Sequence, residues 1–309
     1  MAAPIRIGTC SWADEALTKH WYPKDVKTAE DRLRYYAERF STVEVDSTYY
    51  RLPDEEMVSR WDERTPDGFV MHVKAFGMMT RHPVRAEQLP PDLRKGAPVD
   101  DRGRVDRPPR ELRAEAFARF HAALEPLRSA GKLGGVLLQF PSYVVAKDLS
   151  RDYLAWAVEQ LRGDRPLVEY RHRSWLDEEN RAATLAFLEE LGATHVVVDA
   201  PQTEAKNLVP TVVAATSPLA YVRLHGRNAA TWNVRGGSAS DRFDYLYSEE
   251  ELREWAGPLR ELADEADEVY VLFNNNRWSC TAGGELTAQA PANALALQGI
   301  LDESGVPTA

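Results

Sequence analysis

The sequence predicts a closed parallel (β/α)8 barrel, an α/β fold with long βα loops over its C-terminal face, and three observations carry that prediction. Eight β-rich apolar runs recur along the chain, helical patterns separate almost all of them, and ionisable or amide side chains gather where the runs end. A chain of 309 residues suffices for one such barrel, so the expectation is a single domain over residues 1–309 with an irregular insertion at about 81–110.

The first predicted strand is IRIGT (Ile5–Thr9), followed at once by Ser11 and Trp12. TVEVD (Thr42–Asp46) alternates, with Val43 and Val45 on one side and Glu44 and Asp46 on the other, as a strand with one apolar and one polar face should. FVMHVK (Phe69–Lys74) ends with His72 and Lys74 at the same period, and GGVLLQF (Gly134–Phe140) ends with Gln139. PLVEYR (Pro166–Arg171) carries Glu169 and Arg171, and HVVVD (His195–Asp199) finishes on Asp199. LAYVRLHG (Leu219–Gly226) ends with Arg223 and His225, and VYVLFNN (Val269–Asn275) with Asn274 and Asn275. Helical patterns between the strands include AEDRLRYYAERF, ELRAEAFARFHAALEPLRSA, SRDYLAWAVEQLR, EENRAATLAFLEELG, SEEELREWAGPLRELADEA and PANALALQGILDE. In SEEELREW the acids fall in the first turn, where the helix dipole favours them. The crossover after the sixth strand, AKNLVPTVVAAT, is poorly helical. An open doubly wound sheet is the competing arrangement, and the absence of GxGxxG after the first strand weakens its dinucleotide-binding form. Arg81–Arg110, Arg227–Tyr247 and Asn276–Ala290 exceed ordinary connections and are expected to build or cover the active face, Trp232 and Tyr245 shielding it from water.

In a parallel barrel all the strand ends meet at one mouth, so these residues form a ring of ionisable groups. Glu44, Lys74, Glu169, Asp199 and His225 are the candidate catalytic residues. Asp46, Tyr49, Gln139, Arg171, Arg223 and Asn274 are the candidate substrate-binding ones. Arg171 and Arg223 suit a phosphate or carboxylate held by two parallel hydrogen bonds. Glu44 and Glu169 suit an acid and a base whose titrations are driven apart by burial and neighbouring cations. Lys74, desolvated among arginines, suits a base or an amine nucleophile. His20, His82, His121 and His195 lie off the strand ends and read as structural or exposed.

Composition narrows the function. With 38 basic against 48 acidic residues the formal charge is −10, which opposes a broad phosphate-neutralising surface. Cys10 and Cys280, the two cysteines, form no CxxC pair and no disulfide framework, which fits a reducing, cytoplasmic compartment. The N-terminal MAAPIRIGTC lacks a signal core, and no stretch approaches a membrane span.

Several motifs in order resemble the DUF72 or YecE-like family. They are GTCSW (Gly8–Trp12), YYAERFSTVEVDSTYYRLP (Tyr35–Pro53), RTPDGFVMHVKAF (Arg64–Phe76), LLQFPSY (Leu137–Tyr143) and VEYRHRSW (Val168–Trp175). YVRLHGRN (Tyr221–Asn228), DYLYSEEELREWA (Asp244–Ala256), VYVLFNNN (Val269–Asn276) and APANAL (Ala290–Leu295) continue the series. The resemblance implies a TIM-like barrel and supplies no reaction, the family being named for lacking an established one. FPSY, with one Pro where FPP is common, and a lengthened Arg277–Gln289 segment depart from the family pattern at the mouth.

The expectation is therefore an enzyme, a hydrolase or lyase, acting on a small anionic substrate by acid/base chemistry. A glycosidase is compatible with paired carboxylates, at a separation the sequence does not give. A metal-assisted phosphodiester hydrolase is the alternative, since Glu44, Glu169, Asp199 and His225 are suitable ligands for Mn, Mg or Zn. Lys74, Arg171 and Arg223 in the same mouth oppose a divalent cation, and no cofactor is favoured. A non-catalytic barrel binding nucleic acid or protein through WYPK (Trp21–Lys24) and RGRVDRPPR (Arg102–Arg110) is the third reading, and is not the favoured one. Oligomeric state is left open.

Overall fold

The computed structural model describes residues 2–233, 239–280 and 284–309. Eight parallel strands form one sheet: β1 (Ile5–Thr9), β2 (Thr42–Val45), β3 (Val70–Lys74) and β4 (Leu133–Gln139), then β5 (Pro166–Glu169), β6 (Thr194–Asp199), β7 (Leu219–Leu224) and β8 (Glu268–Phe273). Their spatial order is β1-β8-β7-β6-β5-β4-β3-β2, so β2 to β8 each pair with their chain neighbours within that run, and β8 returns to β1. The sheet is a nearly closed barrel. Its seam between β1 and β2 is bridged by Tyr36, whose hydroxyl accepts from Thr9 N–H at 2.8 Å and donates to Thr42 O at 3.1 Å. Gly8 permits this approach, because a Cβ there would lie 2.2 Å from Thr42 O.

The expected helices form outside the strands. Ala29–Ala37 starts on a Thr28–Asp31 capping box, and Glu249–Glu254 on a Ser248–Glu251 box, which satisfies the first-turn N–H groups that the acids of SEEELREW suggested. Among the helices that escaped the sequence reading are Glu15–His20, capped by Asp14, and Glu55–Glu63, capped by Asp54. Glu15–His20 is too short for a period to show, whereas Glu55–Glu63 does turn Val58 and Trp61 inward at helical spacing. As its composition predicted, the β6–β7 crossover forms no helix. It is strapped to β6 instead, Thr211 Oγ1 donating to Val198 O at 3.0 Å and His195 Nε2 meeting Val212 O at 3.0 Å. The insertion after β3 carries a two-stranded ribbon, Val84–Arg85 against Arg104–Val105. Among the described residues no helix is long and apolar enough to cross a membrane.

Barrel interiors are packed in layers rather than open. His72 sits deep in this one, its ring 4.7 Å from Tyr221 and 4.3 Å from Tyr270. Gly134 leaves it room, since a Cβ there would lie 2.4 Å from the imidazole. Burial holds His72 well below the usual imidazole range, so it is a neutral core side chain.

Candidate functional site

Above His72 the interior turns ionic. Arg223, on β7, is fully buried and lies between two equally buried carboxylates. Its Nη2 donates to Glu44 Oε1 at 2.6 Å and its Nη1 to Glu169 Oε2. Glu44 Oε2 accepts from the Tyr221 hydroxyl at 2.8 Å. Glu169 Oε1 accepts from Gln139 Nε2 at 2.7 Å and Arg171 Nη1 at 2.9 Å, and lies 3.3 Å from His225 Nε2. Asn274 Nδ2 donates to His225 Nδ1 at 2.8 Å, which leaves the ring proton on Nε2, facing Glu169.

The two carboxylates titrate apart, as the sequence suggested. Burial raises Glu169, but the charges of Arg223 and Arg171 and the hydrogen bond from His225 outweigh it and hold this carboxyl well below the usual range. Burial, with the negative charge of Asp46 adding to it, pushes Glu44 up to about 7 against the pull of Arg223. Burial also lowers His225, to about 4, against the pull of Glu169. At neutral pH the layer therefore holds a charged Glu169–Arg223 pair, a neutral His225 and a Glu44 near its midpoint.

Over this layer opens a cavity of about 610 Å³, to which the segment following every strand contributes. Its polar lining includes Asp46, Lys74, Gln139, Arg171 and Asn274, and its aromatic lining includes Tyr49, Trp232 and Trp278. Lys74 Nζ lies 3.0 Å from Asp46 Oδ1 and 5.2 Å from the Tyr49 ring centre. The Arg171 guanidinium lies 5.3 Å from the Trp232 ring centre, so one edge is tied to Glu169 while a face is covered by indole.

The sequence-derived ring is thus divided by depth. Asp46, Tyr49, Lys74, Gln139, Arg171 and Asn274 line the cavity. Glu44, Glu169, Arg223 and His225 were expected to meet substrate, and each is sealed beneath the floor with no exposed surface. Arg223 commits both of its Nη groups to carboxylates, and its Nε is sealed in the core, so the expected Arg171–Arg223 fork for an oxyanion is not formed. Nor do the carboxylates flank a substrate as glycoside hydrolysis requires, since one buried guanidinium bridges them. Asp199 is the larger correction. It points outward from β6, where Arg227 Nε lies 3.1 Å from each of its oxygens and Trp255 Nε1 3.4 Å from Oδ2. The four residues named as metal ligands therefore do not converge, and among the described residues no group of three or more His, Cys, Asp and Glu is placed to hold a metal ion.

Trp232 shields the cavity as expected, with Phe243 beside it, whereas Tyr245 turns away and donates to Glu251. Residues 234–238 of that predicted cover lie outside the described residues. Among the lining residues that were missed, two are ionisable groups with shifted titrations. Asp14 follows β1 and caps the Glu15–His20 helix, and burial lifts its carboxyl to about 6. Its position one residue before Glu15, in the Asp-x-x-Leu spacing of an N-cap, was the available signal. His82, read as structural, enters from the insertion, and no periodicity points to it. Trp21 of WYPK packs on Tyr22, Tyr35 and Phe40, and Arg104 of the basic stretch is paired with Asp100 at 3.0 Å, while Lys24, Arg102, Arg107 and Arg110 are exposed.

Fold and site together define a parallel barrel with a polar, aromatic-rimmed cavity over a buried ion network at its C-terminal mouth. The chain belongs to the family described as protein of unknown function DUF72, whose family model matches residues 6–308. It is similar to the UPF0759 protein YunF of Bacillus subtilis (strain 168), 34% identical over 278 residues that cover 88% of this chain and 89% of that protein. A DUF72 family protein of Thermotoga maritima MSB8 shares its fold at a TM-score of 0.71 and 30% identity, covering 97% of this chain and 99% of the other. One from Enterococcus faecalis V583 does so at 0.76 and 26%, covering 96% and 95%.

Proposed function

We propose that this protein is an enzyme acting on a small, polar, anion-bearing substrate in the mouth cavity by acid/base chemistry. The observation that carries the reading is Arg171, a cation anchored by Glu169 and Trp232 whose remaining edge lines a cavity of about 610 Å³. That volume suits a metabolite-sized ligand. Arg171 would take the substrate's phosphate or carboxylate, with Gln139 and Asn274 supplying neutral donors. The Lys74–Asp46 pair faces the same space and would move a proton on the substrate, so hydrolysis or elimination is the reaction class in view. Glu44, Glu169, Arg223 and His225 become positioning groups: they fix Arg171, Gln139 and Asn274 from below. Two free cysteines, Cys10 and Cys280, are compatible with a reducing, cytoplasmic setting.

Calorimetric titration with inorganic phosphate, sulfate and small dicarboxylates tests this. Arg171→Ala should weaken binding of whichever anion is held by about 1.5–3 kcal/mol, the worth of a charge-assisted hydrogen bond. Anion binding that is unchanged in Arg171→Ala, or absent in the wild type, would refute the reading.

A further inference from the structure

The wall of the cavity formed by the insertion after β3 carries an imidazole that the ion network does not use. His82 lines the cavity, and the peptide unit that joins it to Arg81 is pinned at both its N–H and its C=O. Its N–H donates to Gly77 O at 3.0 Å, and the Tyr143 hydroxyl donates to Arg81 O at 2.5 Å. Arg81, which enters that peptide unit, is left-handed, at φ 68° and ψ 15°, a conformation that persists in a non-glycine residue only where its surroundings impose it.

The ring is fixed as firmly as the backbone. Thr80 Oγ1 lies 3.2 Å from Gly77 O and 2.9 Å from His82 Nδ1. A hydroxyl has one proton. With that proton donated to Gly77 O, Thr80 accepts from Nδ1–H, and the lone pair of the imidazole falls on Nε2. Tyr49 meets the ring edge-on, with centres 5.1 Å apart and planes at 85°, which sets its tilt. Among the described residues no protein group is bonded to Nε2.

We propose that His82 is the proton acceptor facing the bound ligand, its Nε2 taking the proton of a substrate hydroxyl. The O–H bond breaks, the N–H bond forms, and the electron pair stays on the substrate oxygen, where Lys74 and Arg171 offset the charge. The proposal rests on reading the mouth as a site for an anion-bearing substrate. The groups facing His82 are Tyr49 from the segment after β2, Lys74 at the end of β3 and Arg171 beyond β5, with Thr80 beside it. Burial, then the charges of Lys74 and Arg171, lowers the imidazole to about 4, so the ring is neutral at physiological pH. An anion bound among those cations cancels part of their repulsion and raises the basicity of Nε2. The ligand itself thereby strengthens the base that acts on it.

Carbethoxylation by diethyl pyrocarbonate, read peptide by peptide by mass spectrometry, tests this on the full chain at about pH 5.5, with and without inorganic phosphate. An ordinary imidazole is then roughly one-tenth neutral, whereas His82 is almost wholly so, and it should be labelled about tenfold faster than an ordinary imidazole of equal access. Phosphate should slow the His82 peptide several-fold, and His82→Gln should remove that signal while phosphate still binds calorimetrically. Slow labelling of His82 alongside phosphate binding overturns the proposal and leaves the anion site standing. Fast labelling in a protein that binds no phosphate upholds the free Nε2 and overturns the reading beneath it. Slow labelling without binding overturns both.

Discussion

A Glu44→Gln variant keeps the shape of a fully buried side chain and removes its charge, which isolates what protonation of Glu44 does to the barrel. Burial raises this carboxyl from 4.5 to about 7. Between those values the unfolded chain has released the proton while the native chain still holds it, so the native state binds more protons and stability falls as pH rises. The contribution is intact below the unfolded value and lost progressively up to the native one. Over 2.5 pH units, 7 less 4.5, the ceiling is about 3 kcal/mol at about 1.4 kcal/mol per unit. Glu169 has the opposite sign: its carboxyl is held below the usual range, so its contribution is present above the unfolded value and lost as pH falls. Urea unfolding followed by circular dichroism at about pH 5 and about pH 7.5 separates them. Wild type should lose about 2–3 kcal/mol more than Glu44→Gln across that interval. Parallel losses in the two proteins would refute the assignment of Glu44 as the proton-holding partner. Because the comparison is of slopes, any fixed cost of placing an amide beside Arg223 cancels.

Three further substitutions probe the same architecture. Arg223→Met should destabilise by about 3–5 kcal/mol near neutral pH, since it strands two buried carboxylates, and a loss under about 1 kcal/mol in chemical denaturation would mean the network is not sealed. Tyr36→Phe should cost about 1–3 kcal/mol by leaving Thr9 N–H and Thr42 O without their bridge, with amide exchange quickening first in β1 and β2; uniform exchange would deny Tyr36 the seam. Asp199→Asn should lower the melting temperature yet leave anion affinity within about twofold, because its partners lie outside the cavity; a large affinity loss would return Asp199 to the mouth.

The strands were legible because β-branched runs and alternation survive in sequence, and the polar ends of those runs located the mouth. Two properties of the site were not written there. The first is which face of β6 looks inward. Val196, Val197 and Val198 are alike in hydrophobicity, as in any strand buried on both faces, so the run offers no alternation from which to assign Asp199. In the barrel Asp199 shares the outward parity of His195, which is strapped to Val212 of the crossover. The second is depth. Strand tilt and stagger decide how far each residue stands below the rim, and neither is encoded locally. Glu44 and Asp46 share a face two residues apart, yet Glu44 is sealed and Asp46 lines the cavity. His82 was invisible for a different reason: it reaches the mouth through an irregular insertion, where no period ties sequence position to direction.

Depth also decides what the ion network can do. A fully buried guanidinium between two carboxylates is expensive to desolvate, and hydrophobic side chains of similar volume would often serve stability as well. What such side chains could not supply is direction. Glu169 accepts from Arg171, Gln139 and Arg223 together, and its partner His225 is in turn held by Asn274. Three of those groups, Arg171, Gln139 and Asn274, line the cavity. A mouth lined by long polar side chains would lose rotamer entropy each time it bound a ligand. Anchoring them from below places that cost in folding, before any ligand arrives, and leaves a rigid polar floor beneath the Lys74–Asp46 pair and His82. The buried ions are best understood through the groups they aim.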